Sequence, residues 1–192
     1  MKTVLFVPGY QEDMDTRDYA STIRAIESRG YEVKFVPINW KRTTIDQWAE
    51  ELEAIYGQYD SKQTIIAGFS FGAMTAFVVA TKRNPIALWL LSLSPYFAED
   101  LKSNNMKQTW LNGIGHRRVT AFGKLNFANL SNSIRCKTLL FVGQTEIDKW
   151  PVIGERVMAA EKLLENATLT IIQDAGHDVA NTQYIEAVKR SI

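Results

Sequence analysis

Six short apolar runs punctuate the chain: TVLFV, EVKFVPI, TIIAGF, ALWLLSL, TLLFVG and TLTIIQ. Each is close to continuous rather than alternating, and most are rich in β-branched or aromatic residues. That pattern suits strands covered on both faces, as in a parallel sheet. Helical spacing fills the gaps between them. TRDYASTIRAIESRG sets Tyr19, Ile23 and Ile26 on one stripe and stops at Gly30. TTIDQWAEELEAIYG does the same with Ile45, Trp48, Leu52 and Ile55 and stops at Gly57, a usual place for glycine at a helix end. PVIGERVMAAEKLLENA follows the fifth run and VANTQYIEAVKRSI the sixth. Strands alternating with helices predict βαβ units with right-handed crossovers. The expected fold class is therefore α/β: a doubly wound, mostly parallel six-stranded sheet with helices on both faces.

One interval breaks the rhythm. Roughly residues 97–135 are polar, contain Gly and Asn, and are long for a plain crossover. A helix near 99–112 and a lid-like excursion over the sheet edge are expected there. With no repeat, low-complexity tract or linker, the 192 residues are read as a single domain. An apolar share of 46% and a charged share of 22% are ordinary for a globular protein. A net charge of +1 gives no basic field for nucleic acid or an anionic membrane. Cys136, the single cysteine, excludes an internal disulfide and, beside an apolar run, reads as a buried structural thiol. The opening MKTVLFVPGY is broken by Pro8-Gly9 before it reaches the length of a signal-peptide core. No run approaches the ~18 apolar residues of a membrane span, so a cytoplasmic, reducing location is the expectation.

The stretch GFSFG, residues 68–72, carries the chemistry. It follows a strand and opens a helix, the setting in which G-x-S-x-G makes a nucleophile elbow. The chain reverses so sharply there that side chains two positions before and after the serine would collide. Gly68 and Gly72 clear that space, and Ser70 is pushed out at the carboxyl edge of the sheet, where open α/β sheets bind ligands. A serine hydroxyl needs a base. Of the two histidines, His177 in QDAGHDV falls at the same edge, whereas His116 in GIGHRRV reads as an exposed loop residue. The base in turn needs a carboxylate. VGQTEID, at the end of the fifth strand, offers Glu146 and Asp148, which face the same way if the segment is extended. Asp174 and Asp178 sit too close to His177 in sequence and read as solvated charges. Oxyanion donors are expected from the amide of Phe71, next to the nucleophile, and from the loop VPGYQED, with the Tyr10 amide preferred and Gln11 next. Tyr10, Trp40, Tyr96, Phe97 and Trp150 fall near strand carboxyl ends and are candidate walls of an apolar acyl pocket.

These residues together resemble the α/β-hydrolase superfamily over essentially the whole chain. FVPGYQED is similar to its oxyanion loop, GFSFG to its elbow, VGQTEID to its acid turn and DAGHD to its histidine loop. The resemblance implies the strand order 2-1-3-4-5-6, all strands parallel, and little cap. Two departures stand out. Pro8-Gly9 replaces the usual His-Gly, and the Gly-x-x-Asp register of the acid turn lands on Glu146. Asp148 better matches the distance to the following helix and histidine, so Asp148 is the preferred acid and Glu146 the alternative. The implied activity is that of a carboxylesterase-like serine hydrolase. It would cleave a small carboxylic ester or thioester through an acyl-enzyme on Ser70. Neither a metal nor an organic cofactor is implied, and the only partner is a small acyl substrate. The same frame also hosts C–C and amide hydrolases and non-catalytic binding proteins.

Overall fold

A computed structural model describes all residues, 1–192. Its centre is one six-stranded sheet in the order β2-β1-β3-β4-β5-β6. The strands are β1 (Thr3–Val7), β2 (Glu32–Phe35), β3 (Thr64–Phe69), β4 (Ala87–Leu91), β5 (Lys137–Gly143) and β6 (Ala167–Ile172). Every neighbouring pair is parallel, as the apolar runs and the resemblance implied. Residues of β1, β3 and β4 are buried throughout, while the edge strands β2 and β6 are partly exposed. Pleating splits the core into two layers. Leu5, Val7 and Ile66 face α2 (Ile45–Tyr56), α3 (Phe71–Ala80) and α8 (Pro151–Leu163). Val4, Phe6 and Ile65 face α1 (Tyr19–Glu27) and α9 (Thr182–Ser191).

Local chemistry starts these helices where they are needed. The Asp18 side chain accepts from the Ser21 amide at the head of α1, and Asn181 accepts from Gln183 and Tyr184 at the head of α9. Thr44 and Gln47 form a reciprocal capping box on α2.

The long interval is not the single helix expected near 99–112. A 3₁₀ turn, Asp100–Lys102, is followed by α4 (Gln108–Ile114), α5 (His116–Phe122) and α6 (Phe127–Ser131). Gly115 adopts φ 90° between α4 and α5, a left-handed conformation that a continuous helix cannot contain. Two devices tie this interval to the body. Arg156 on α8 grips Asp100 with Nε and Nη2 at 2.6–3.0 Å. Its guanidinium lies over the rings of Phe127 and Phe97. Arg118 on α5 donates to the carbonyls of Trp40, Thr43 and Ile114 and covers the Tyr10 ring. Cys136 is half-buried, and burial raises its thiol pKa, the state of an unreactive sulfur. No helix is long and apolar enough to cross a membrane.

Candidate active site

Ser70 lies between β3 and α3 with φ 57° and ψ −119°, a strained conformation for a residue with a Cβ, of the kind that clusters at functional sites. The glycines around it are obligatory for steric reasons. A Cβ at Gly68 would overlap the Gly72 carbonyl, and one at Gly72 would overlap the carbonyls of Val7 and Pro8. The turn therefore presses β3, α3 and the end of β1 together. It leaves the Ser70 hydroxyl at the carboxyl edge of the sheet.

His177 approaches from the loop after β6. Its Nε2 lies 3.0 Å from Ser70 Oγ. Its ring stands between Phe69, with centroids 4.7 Å apart, and Trp150, at 6.2 Å. The opposite nitrogen, Nδ1, lies 2.6 Å from Glu146 Oε1. Glu146 is 1% exposed. The acid and histidine loops are locked in contact. A Cβ at Gly143 would overlap the Ala175 carbonyl, and the Thr145 amide donates to that same carbonyl at 3.0 Å.

The preference for Asp148 is thus corrected: the carboxylate against His177 is that of Glu146. The reason is secondary structure. Residues Gln144–Lys149 form a helix, α7, directly after β5, so the two carboxylates do not share a face as they would in an extended segment. Side chains two apart in a helix point to nearly opposite sides. Asp148 is therefore exposed, and it accepts from Gln144 Nε2 at 2.7 Å.

The amides of Tyr10 and Phe71 donate to no protein acceptor, and the Tyr10 and Phe71 rings pack together at 5.5 Å. The loop that carries Tyr10 is held from behind. The Gly9 amide donates to the Tyr19 hydroxyl at 2.9 Å, and that hydroxyl bonds the Glu12 carboxylate. Arg17 joins Glu12 to the histidine loop, reaching Asp178 at 2.9 Å and the His177 carbonyl at 3.3 Å. Asp178 therefore has a partner, unlike the free solvated charge expected of it.

A cavity of about 390 Å³ opens beside Ser70 and His177. Tyr96 and Trp150 line it, together with Phe71, Trp110, Ile114 and Ile153. Burial pushes the Tyr96 phenol up to about 12, so it faces the cavity in its neutral form. Ser94 adds a hydroxyl 3.3 Å from Ser70 Oγ. Tyr10, Trp40 and Phe97 do not line this space, and Trp40 and Phe97 are corrected to core residues. Trp40 packs edge-on against Trp48 and Tyr10. Phe97 is completely buried against Phe77 and Phe127 because the Asp100 carboxylate holds its backbone amide and turns it inward. His116, exposed on α5, lies outside the cavity. Sequence reasoning missed Trp110 and Ser94. A tryptophan within an otherwise polar interval, and hydroxyls closing an apolar strand in SLS, were the available signals.

Solved structures of similar shape settle the architecture. Est1E from Butyrivibrio proteoclasticus superposes with a TM-score of 0.78 at 15% identity, covering 99% of this chain and 84% of its own. Dienelactone hydrolase from Anabaena variabilis gives 0.67 at 18% identity, covering 100% and 83%. MenH from S. aureus gives 0.69 at 16%, covering 99% and 91%. The chain has the α/β-hydrolase fold. At 192 residues this α/β-hydrolase fold carries little cap, only the short helices α4 to α6 beyond the sheet and its covering helices. No family model matches the sequence, and no curated protein does.

Proposed function

We propose that the protein is a serine hydrolase that cleaves a small carboxylic ester or thioester through an acyl-enzyme on Ser70. The observation that carries this reading is the unbroken chain Ser70 Oγ–His177 Nε2–Glu146, at 3.0 and 2.6 Å. In the proposed mechanism His177 Nε2 takes the Ser70 proton as Oγ attacks the acyl carbon, while Glu146 holds the Nδ1–H and stabilises the imidazolium. The Phe71 and Tyr10 amides, free of protein acceptors, receive the charge on the carbonyl oxygen. The imidazolium then gives its proton to the departing alkoxide or thiolate. Water, deprotonated by the same Nε2, attacks the acyl carbon, releases the carboxylic acid and returns the proton to Ser70. Only groups of the chain and water take part.

The cavity supports an apolar, flat or short-chain acyl group lying between Trp110, Trp150 and Tyr96, since apolar side chains form most of its wall. Turnover of p-nitrophenyl acyl esters tests the reading. Ser70→Ala should reduce it by about 10⁴-fold with the fold retained. A residual rate above roughly a hundredth of wild type would remove Ser70 as the nucleophile. Parallel assays with acyl thioesters and aminoacyl amides assign the bond class.

A further inference from the structure

Ser92 follows β4 and is completely buried, yet its backbone lies at φ 50°. Its amide donates to the Phe141 carbonyl at 2.7 Å, which carries the β4–β5 pairing one residue past Leu91. Its hydroxyl lies 2.8 Å from Glu146 Oε2 and 3.0 Å from the Tyr184 hydroxyl. The Tyr184 hydroxyl also reaches the Phe141 carbonyl at 3.2 Å. Hydrogen inventory orders this cluster. An ionised carboxylate only accepts, so the Ser92 hydrogen points to Glu146, and the one Tyr184 hydrogen is shared between the Ser92 oxygen and the Phe141 carbonyl.

We infer that Ser92, backed by Tyr184, is a positioning residue for the Glu146–His177 pair, and this rests on the reading of the site given above. The buried Glu146 carboxylate has no lysine or arginine beside it, and its only ion-pair partner is His177, through Oε1, when that ring is protonated. An unpaired buried anion is costly, and a hydroxyl donor on the second oxygen lowers that cost. Glutamate also has one more side-chain torsion than aspartate. With Oε1 on the imidazole and Oε2 on Ser92, both ends of the carboxylate are held and the histidine ring keeps its orientation. Hydroxyls in series polarise one another, so Tyr184 strengthens the bond Ser92 makes. Burial, followed by the nearby Glu146 charge, raises the Tyr184 pKa well above its ordinary value, which keeps that phenol a donor. Glycine would occupy the left-handed position of Ser92 with less strain. The hydroxyl is what glycine would lose.

That contrast supplies the test. Ser92→Gly removes the hydroxyl and relaxes the backbone, and Tyr184→Phe removes the other hydroxyl and keeps the ring. For Ser92→Gly, kcat on an activated ester should fall by about 10- to 100-fold, the loss of one hydrogen bond to a charged group. KM should stay within about twofold, and relief of the positive φ offsets part of the stability lost with the hydrogen bond. Tyr184→Phe should lose less, and the double variant should be no slower than Ser92→Gly, because the two hydroxyls act in series. Wild-type kcat in Ser92→Gly, or a change confined to KM, overturns the inference. If Ser92→Gly fails to fold, wild-type kcat in Tyr184→Phe overturns it alone. Ser70→Ala run alongside separates the two readings. An inactive Ser70→Ala with a fully active Ser92→Gly removes only the positioning role, whereas an active Ser70→Ala removes the hydrolase reading itself.

Discussion

At the scale of single residues, the acid is where sequence and structure part. Glu146 and Asp148 are two positions apart, both carboxylates, and both follow the fifth strand. Choosing between them required knowing whether the chain stays extended after Gly143. It coils at once into α7, and a six-residue helix with no apolar stripe leaves no periodic trace. Ser70 and Gly68/Gly72 were legible because their spacing encodes a steric demand that no other arrangement makes. His177 was legible by elimination, there being two histidines in all. Ser92 and Tyr184 were not, since nothing in ALWLLSLS or NTQYIEA says that two hydroxyls will meet a glutamate. The prediction at this scale is an exchange of roles. Glu146→Gln should lower kcat/KM by about 10⁴-fold, as loss of a triad acid does, and Asp148→Asn by less than about tenfold. Steady-state kinetics on both variants checks it, and the reverse order of damage would return the acid to Asp148.

At the scale of elements, the strands and their covering helices follow from hydrophobic period, and the excursion does not. Its helices, α4 to α6, are five to seven residues long, too short for periodicity to be read. Tertiary staples hold them, foremost the Asp100–Arg156 pair. Burial raises the Asp100 carboxyl while Arg156 opposes the rise. Asp100→Ala strands the Arg156 charge, which is 4% exposed. It should destabilise the protein by about 3 kcal/mol or more, a fall in Tm of roughly 6–12 °C. Activity per folded molecule should change little, because neither residue lines the cavity. An unchanged Tm in a thermal melt would show that the pair does not hold the excursion. α4 brings Trp110 onto the cavity, its ring 5.8 Å from that of Trp150. Trp110→Ala should raise KM for aromatic acyl esters several-fold, on the order of 1 kcal/mol of lost aromatic contact, and leave acetyl esters nearly untouched. Equal effects on both esters would place the acyl group elsewhere.

At the scale of the whole molecule, the sheet order was legible because six parallel strands with right-handed crossovers leave few topologies, and the resemblance selected among them. The sheet then determines where chemistry can occur. β3, β5 and β6 end on one edge, and the segments that follow them carry Ser70, Glu146 and His177. The core also sets an alkaline limit. Burial raises the phenol pKa of Tyr19, Tyr56, Tyr96 and Tyr184. A folded-state pKa above the unfolded value means that the unfolded chain releases its protons first. The associated stability is complete below about pH 10 and is lost as pH rises through the folded values. Tm should therefore drop steeply above about pH 10, with tyrosinate absorbance developing together with unfolding. Complete ionisation of all seven tyrosines at an unmoved Tm would contradict this.

The central claim is that Ser70, His177 and Glu146 act as one nucleophilic unit, and covalent labelling by a fluorophosphonate reports on it most directly. Intact-mass and peptide mapping of the treated protein should find one adduct per chain, on Ser70, with turnover of a p-nitrophenyl ester lost in step. Ser70→Ala should take no label, and His177→Ala and Glu146→Gln should label orders of magnitude more slowly. A folded wild-type protein that stays unlabelled, or an adduct that forms equally well on Ser70→Ala, would contradict the account.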